Sequence, residues 1–175
     1  MKIERIEEMR LTGADEAQIN TLLLSAFDDS FADRSFHQQR HHVRLVVREG
    51  DAVIGHMAIC YRAIRLGSRL VTVAGLAEVA ASPQHRGKGI AGAMLTAAIA
   101  EVAQTRAAFF ILFGDRPIYA GRGFVAMPNS LTYTAISGAQ TKTVAAGTGS
   151  DLMVMPMGAE PWDASAEVDL LGLKF

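Results

Sequence analysis

The chain has 175 residues, half of them hydrophobic (50%), which suits one compact domain with a sizeable core and argues against a disordered tail. A formal net charge of −1 without a basic block speaks against a nucleic-acid partner, since duplex binding needs a strong basic face. One cysteine, Cys60, forbids an intramolecular disulfide and fits a reducing, cytoplasmic setting. The charged start Met1-Lys2-Ile3-Glu4-Arg5 lacks the apolar centre of a signal peptide, and the apolar runs at 90–100 and 107–113 fall short of the roughly 20 residues that span a bilayer.

Taken in order, residues 2–10 read as a first strand with charged ends. Thr12-Gly13-Ala14-Asp15 is a capping box, and behind it Ile19, Leu22, Leu23, Ala26 and Phe27 recur with helical spacing. Residues 28–40 are polar with Phe31 and Phe36 embedded, as in a short helix or loop near the surface. Strand-like runs at 43–48, 52–64 and 70–81 are joined by the turns Glu49-Gly50-Asp51 and Leu66-Gly67-Ser68, giving an antiparallel meander. A helix is expected from Ile90 to about Gln104. The unbroken apolar run at 107–113 has the pattern of a strand buried on both faces. A short helix at 117–120 ends at Gly121-Arg122-Gly123, and further strands are expected at 131–136 and 152–157. The Gly-, Ala-, Thr- and Ser-rich stretch between them, 137–150, reads as a mobile surface loop, and the tail around 167–171 as a docked extended segment.

The most informative stretch is Gln84-His85-Arg86-Gly87-Lys88-Gly89-Ile90-Ala91, between a strand and a helix. A strand-to-helix junction gathers backbone N–H groups at the positive end of a helix dipole. Glycines at 87 and 89 let a bulky anion approach, and Arg86 and Lys88 add positive charge, so the stretch reads as a diphosphate cradle. The pattern Gly87-x-Gly89-x-x-Gly92, with Asp115 about 20 residues on, also matches a dinucleotide fingerprint. Such a loop ordinarily follows the first strand of a βαβ unit, whereas this one follows three antiparallel runs.

The same stretch resembles the acyl-CoA-dependent N-acyltransferase (GNAT) superfamily. Its Gln/Arg-x-x-Gly-x-Gly/Ala hallmark is matched by Gln84-x-x-Gly87-x-Gly89 and again by Arg86-x-x-Gly89-x-Ala91. Its Tyr-x-x-x-Gly-Phe segment is matched by Tyr119-Ala120-Gly121-Arg122-Gly123-Phe124. The resemblance implies one α+β (three-layer α/β) domain over residues 1–175. Its sheet would be mixed and largely antiparallel, of about six or seven strands flanked by helices, with two central parallel strands splayed at the CoA site. It further implies acetyl-CoA as co-substrate, its diphosphate on Gln84, Arg86, Gly87, Lys88, Gly89, Ile90 and Ala91 and its pantetheine arm along Val79, Ala80 and Ala81. The activity implied is acetyl transfer to a primary amine of a small molecule by direct attack. A non-catalytic acyl-CoA-binding or sensor module on the same fold is the reading from another class.

In this family the tyrosine at position 119 protonates the departing CoA thiolate, and a phenol with pKa about 10 is protonated at neutral pH. The plainer reading of Tyr119 is a ring packed into the core. Glu78 is the carboxylate inside the strand before the loop, where burial could raise its pKa toward that of a useful base; alternatively it makes a structural hydrogen bond and water relays the proton. Strand alternation groups Glu78 with Leu76 and Ala80, unless a bulge reverses its facing. His41 and His42 read as solvated, His56 as a core or pocket residue, and His37 as part of the segment that lines the acceptor site in relatives. Cys60 reads as a small buried hydrophobe with no base near it. No metal site is expected, for no pair has metal-ligand spacing together with a carboxylate or thiol.

Ile118–Phe124 and the tail are similar to aminoglycoside 2'-N-acetyltransferases, and Gly114-Asp115-Arg116-Pro117 to a broad set of uncharacterised bacterial acetyltransferases. Asp28, Asp29 and Asp33, with the C-terminal aromatic Phe175, are the acceptor-binding candidates, because carboxylates at a pocket mouth attract a polyamine or amino sugar. Many relatives dimerise through late strands, which leaves a homodimer open.

Overall fold

A computed structural model describes residues 1–27, 31–137, 139–147 and 151–175. The chain is an α+β fold built on a mixed sheet of ten strands, which fall into two compact units. The first comprises Met1–Cys60 and Ala77–Glu101, the second Tyr61–Leu76 and Val102–Phe175. Among the described residues no helix is long and apolar enough to cross a membrane.

In the first unit, β1 (Ile3–Glu7) lies antiparallel to β2 (Val43–Glu49), and β2 pairs antiparallel with β3 (Ala52–Leu66) through the turn at Gly50. The expected first strand stops at Glu7, and Glu8–Arg10 form a 3-10 turn instead. Helix α1 (Gly13–Ala26) opens with the capping box read from sequence: Asp15 N–H donates to Thr12 Oγ1 at 3.1 Å, and Thr12 N–H to Asp15 Oδ2 at 2.9 Å. Its apolar stripe, Ile19, Leu22 and Leu23, packs with Phe31, Val46, Val53 and Ala80 of β4 (Arg69–Ala81). Helix α2 (Ile90–Val102) buries Ile90, Met94, Leu95, Ala98 and Val102. It crosses β3 where Gly55 leaves room: a Cβ on Gly55 would sit 2.7 Å from both Ile90 Cγ2 and Met94 Sδ.

In the second unit, β4 and β5 (Phe109–Phe113) run parallel, paired from Val73↔Phe109 to Leu76↔Leu112. Phe109, Phe110 and Ile111 are fully buried, as expected of a strand covered on both faces. The short helix α3 (Pro117–Ala120) follows. Then β6 (Val125–Ala126) and β5 both pair antiparallel with β9 (Leu152–Pro156). The tail docks as β10 (Val168–Asp169), antiparallel to β3 and parallel to β7 (Leu131–Ser137). The Trp162 indole N–H donates to Asn129 Oδ1 at 2.9 Å, and its ring meets Phe109 edge-on.

The expected loop at 137–150 is a correction. Residues Gln140–Gly147 form β8, paired antiparallel with β7 from Leu131↔Gly147 to Ser137↔Gln140. Small polar residues read as a loop by composition, but the alternation through Thr141, Thr143 and Val144 suffices once β7 offers a ladder. With β8 and the two-residue strands β6 and β10, the count rises from the six or seven expected to ten.

The Gly55 crossing is a tight packing constraint on α2. Gly55→Ala should cost about 1–3 kcal/mol in urea unfolding; adding Met94→Ala, which opens space beside the new methyl, should recover part of that loss.

Candidate functional site

Between β4 and α2 the chain passes through a 3-10 turn at Pro83–His85 and then a glycine loop. Gly87 and Gly89 have φ of +78° and +76°, where side-chain-bearing residues are strained, while a Cβ at either would meet nothing within 4 Å. As far as the chain's own atoms go, these glycines are needed for the backbone path. Among the described residues, the N–H groups of Gly87, Gly89, Ile90, Ala91 and Gly92 donate to no backbone carbonyl. These groups stand at the first turn of α2, where the helix dipole is positive. Gln84, Arg86 and Lys88 are exposed around them, whereas Ile90 anchors α2 in the core. Such an arrangement is built for an anion.

Upstream of the loop, β4 breaks its own regularity. Glu78 has φ +52°, a left-handed conformation for a non-glycine residue inside a strand. The deviation turns the side chain into a polar cluster of the first unit. Glu78 Oε1 accepts the His37 backbone N–H at 2.7 Å, and Oε2 accepts from Arg44 Nη1 at 2.9 Å. His41 Nε2 lies 3.0 Å from Oε1 but off the line of a formed hydrogen bond, so that contact is chiefly electrostatic. The Glu78 carbonyl is 2.8 Å from His56 Nδ1; a carbonyl only accepts, so the proton sits on Nδ1 and Nε2 is left to accept from Arg44 at 3.2 Å.

Arg44 is the hub of this cluster and is fully buried. Its Nε and Nη2 donate to Glu8 Oε2 and Oε1 at 2.7 and 3.1 Å, and Nη1 also donates to the Ser35 carbonyl at 2.9 Å. Burial by itself pushes the Glu78 carboxyl up, but His41 and Arg44 outweigh it and hold Glu78 below the usual carboxylate range. Burial likewise raises Glu8, and the hydrogen bond and charge of Arg44 bring it below its ordinary value. His56 is lowered to about 4, first by burial and then by the Arg44 charge, so it is neutral at physiological pH.

Several expectations are corrected here. The Glu78 pKa goes down, not up, because burial comes with the His41 ring and the Arg44 guanidinium against its carboxylate. His41 is buried rather than solvated, and its Nδ1 lies 3.0 Å from Cys60 Sγ, so the buried thiol does have a basic neighbour. Asp33 is exposed and lines a surface cleft with Glu16, Asn20, Arg34 and Arg40. Asp28 and Asp29 lie outside the described residues. Arg44 and Glu8 were missed; the signal was a lone charge inside the apolar run Val43-Arg44-Leu45-Val46-Val47.

In the second unit, Tyr119 is 7% exposed and packs its ring edge-on to Phe124. Gly123, with φ +96°, turns the chain so that Phe124 N–H donates to the Tyr119 carbonyl at 3.2 Å, which explains the spacing of this motif. Gly114 keeps clear of the ring, for a Cβ there would lie 3.2 Å from Tyr119 Cε2. Burial raises the Tyr119 pKa, with Arg116 opposing and Asp115 assisting, so the phenol keeps its proton. The packed ring and the proton-bearing hydroxyl are therefore compatible readings of one residue. Phe175 stacks on Phe113, carries the Arg62 guanidinium 4.2 Å from its ring centre, and fills the space above Gly75, so it serves as a packing element of this unit.

An acetyltransferase (GNAT) domain model matches residues 8–127, most of the chain. The chain belongs to the GNAT family. Its ten-stranded sheet and glycine loop are thus the GNAT fold, and the dinucleotide-fingerprint reading of the loop falls away. A GNAT family acetyltransferase from Brucella melitensis, solved in complex with acetyl-CoA, is similar at TM-score 0.60 and 18% identity, over 95% of this chain and 94% of that one. The GNAT family N-acetyltransferase YhbS from Escherichia coli, in complex with CoA, gives 0.64 and 18% over 97% and 88%. Eis1 from Mycobacterium abscessus gives 0.61 and 16%, over 75% of this chain but only 34% of that longer one. No curated protein matches the sequence. Among the described residues no group of three or more His, Cys, Asp or Glu is arranged to hold a metal ion.

The buried neutral histidine of this GNAT chain gives a pH dependence with a definite sign. The unfolded chain takes up a proton at His56 near pH 6.5, whereas the folded one resists until about pH 4. Stability is therefore full above pH 6.5 and falls by up to about 3 kcal/mol as pH drops through that window. Thermal unfolding between pH 7 and pH 4.5 should show this slope (below that, Glu8 and Glu78 add their own loss). His56→Gln, which keeps one donor and one acceptor, should flatten it.

Proposed function

We propose that this protein is an acetyl-CoA-dependent N-acetyltransferase that moves the acetyl group to a primary amine of a small molecule by direct transfer. The observation that carries this reading is the glycine loop: among the described residues its Gly87, Gly89, Ile90 and Ala91 N–H groups donate to no backbone carbonyl and are gathered at a helix N-terminus in a GNAT fold. Gly87 to Ala91 would hold the CoA diphosphate, with Gln84, Arg86 and Lys88 beside it, and the pantetheine arm would run along the backbone of Val79, Ala80 and Ala81. The acetyl-CoA and CoA complexes of the Brucella and Escherichia proteins support this assignment.

In the reaction the amine lone pair forms a bond to the thioester carbonyl carbon, the C–S bond breaks, the nitrogen releases one N–H proton to water, and the thiolate takes a proton from the Tyr119 hydroxyl, which water then restores. Transfer from a free phenol of pKa about 10 to a thiolate of pKa about 8.5 is uphill by about 2 kcal/mol, and the raised pKa of Tyr119 adds to that step. Glu78 works as an anion and not as a proton store. An ammonium of pKa about 10 facing a carboxylate held below its usual range would have to give up its proton far uphill, so the proton leaves through water while Glu78 attracts and orients the acceptor. Asp28, Asp29 and Asp33 would reinforce that attraction, and Phe175 would contribute an aromatic wall. The setting proposed is cytoplasmic and bacterial, as a monomer or a homodimer.

Calorimetry with acetyl-CoA, and NAD as control, tests the loop; binding of acetyl-CoA but not NAD is expected. In an amine screen Tyr119→Phe should lower kcat by about 10²- to 10⁴-fold with the KM for acetyl-CoA nearly unchanged. Full turnover in that variant would remove the acid role. Tight binding without turnover of any amine would favour a binding module instead.

A further inference from the structure

We propose that Arg44 is a positioning residue for acyl transfer, clamping Glu78 by one carboxylate oxygen, and that Glu8 on the other edge of the guanidinium sets how firmly the clamp holds. The lone-pair count of Glu78 motivates this. Among the described residues, Oε1 accepts the His37 N–H and has the cationic edge of the His41 ring against it, whereas the hydrogen bond to Oε2 comes from Arg44, which leaves that oxygen a lone pair for an incoming ammonium or water. The direction of that lone pair is fixed by Arg44, and Arg44 is fixed by the two-pronged grip of Glu8.

The charges that face Glu78 come from four places. The segment after α1 supplies His41, β2 supplies Arg44, β3 supplies the neutral His56, and the turn after β1 supplies Glu8 through Arg44, with Arg40 held on Glu8 at 3.3 Å. One fully buried guanidinium is therefore shared between two carboxylates. Removing the guanidinium leaves Glu78 less favoured as an anion; removing the Glu8 charge leaves the whole guanidinium to Glu78 and favours its anion more. The two changes push Glu78 in opposite directions, which a general loosening of the fold does not.

The role in transfer rests on the acetyltransferase reading, but the clamp is testable without it. The Glu78 carboxyl is titrated by carbon-13 NMR, assigned by its loss in Glu78→Gln. It should titrate below the ordinary glutamate range in the native protein, about one pH unit or more higher in Arg44→Met, and lower still in Glu8→Gln. An unchanged titration in Arg44→Met, or an upward shift in Glu8→Gln, would overturn the clamp. Should Arg44→Met not fold, Glu8→Gln decides by the sign of its shift. Arg44→Lys keeps the charge but cannot bridge both carboxylates, so Glu78 should stay ionised while kcat falls by about 10-fold or more at unchanged acetyl-CoA KM; an unchanged kcat would overturn the positioning role. If the native protein acetylates no amine, the function proposed above fails, and the NMR titration still decides the clamp.

Discussion

The left-handed backbone at Glu78 is the constraint on which the first unit turns. A non-glycine residue held at φ +52° within a strand costs about 1–3 kcal/mol and persists only when its surroundings over-determine it. They do so here from both ends of the residue. The His56 ring N–H holds the main-chain carbonyl, while the His37 N–H and the Arg44 guanidinium hold the side-chain carboxylate. The parallel pairing of β4 with β5 ends at Leu76↔Leu112, two residues before this break, while β4 itself runs on to Ala81.

Sustaining that arrangement requires burying charge, which costs several kcal/mol per ion unless the geometry is good and the remaining donors and acceptors are satisfied. Arg44 meets the condition with charge-assisted bonds to two carboxylates and further bonds to a carbonyl and an imidazole. The histidine is part of the solution. Being neutral, His56 adds an acceptor beside the guanidinium without adding a second cation, and that depends on burial keeping its pKa near 4. A lysine in place of Arg44 would offer one point charge where a planar fork is needed.

Much of the architecture was legible because it is written locally. The Thr12–Asp15 box, the turns at Gly50 and Gly67, the unbroken apolar run through Phe109–Phe113 and the Tyr119–Phe124 spacing each depend on residues near in sequence. β8 was not legible, since its small polar residues become a strand only through the ladder that β7 provides. The cluster around Arg44 was hidden for a related reason. Glu8, His41, Arg44, His56 and Glu78 come from five separate stretches, and only the register of β2 on β3, which pairs Val46 with His56 and Arg44 with Ala58, brings them together. What the sequence did show was an ionisable residue embedded in each of three successive apolar runs, Arg44, His56 and Glu78. Read as a face, those three would have announced a buried polar network.

The direction of the Glu78 shift also changes what the residue is good for. A buried carboxylate without a partner would rise toward neutrality and could hold a proton taken from substrate. A buried carboxylate with a guanidinium on one oxygen stays ionised, cannot store that proton cheaply, and instead presents a fixed negative charge with one lone pair open. On the reading proposed above, a fixed charge of this kind would favour a cationic acceptor and would need no reorganisation when it arrives. Tyr119 follows the opposite logic, since burial there opposes ionisation and keeps the hydroxyl protonated. Environment alone thus separates the two groups, one held charged by a partner and the other held neutral by its packing.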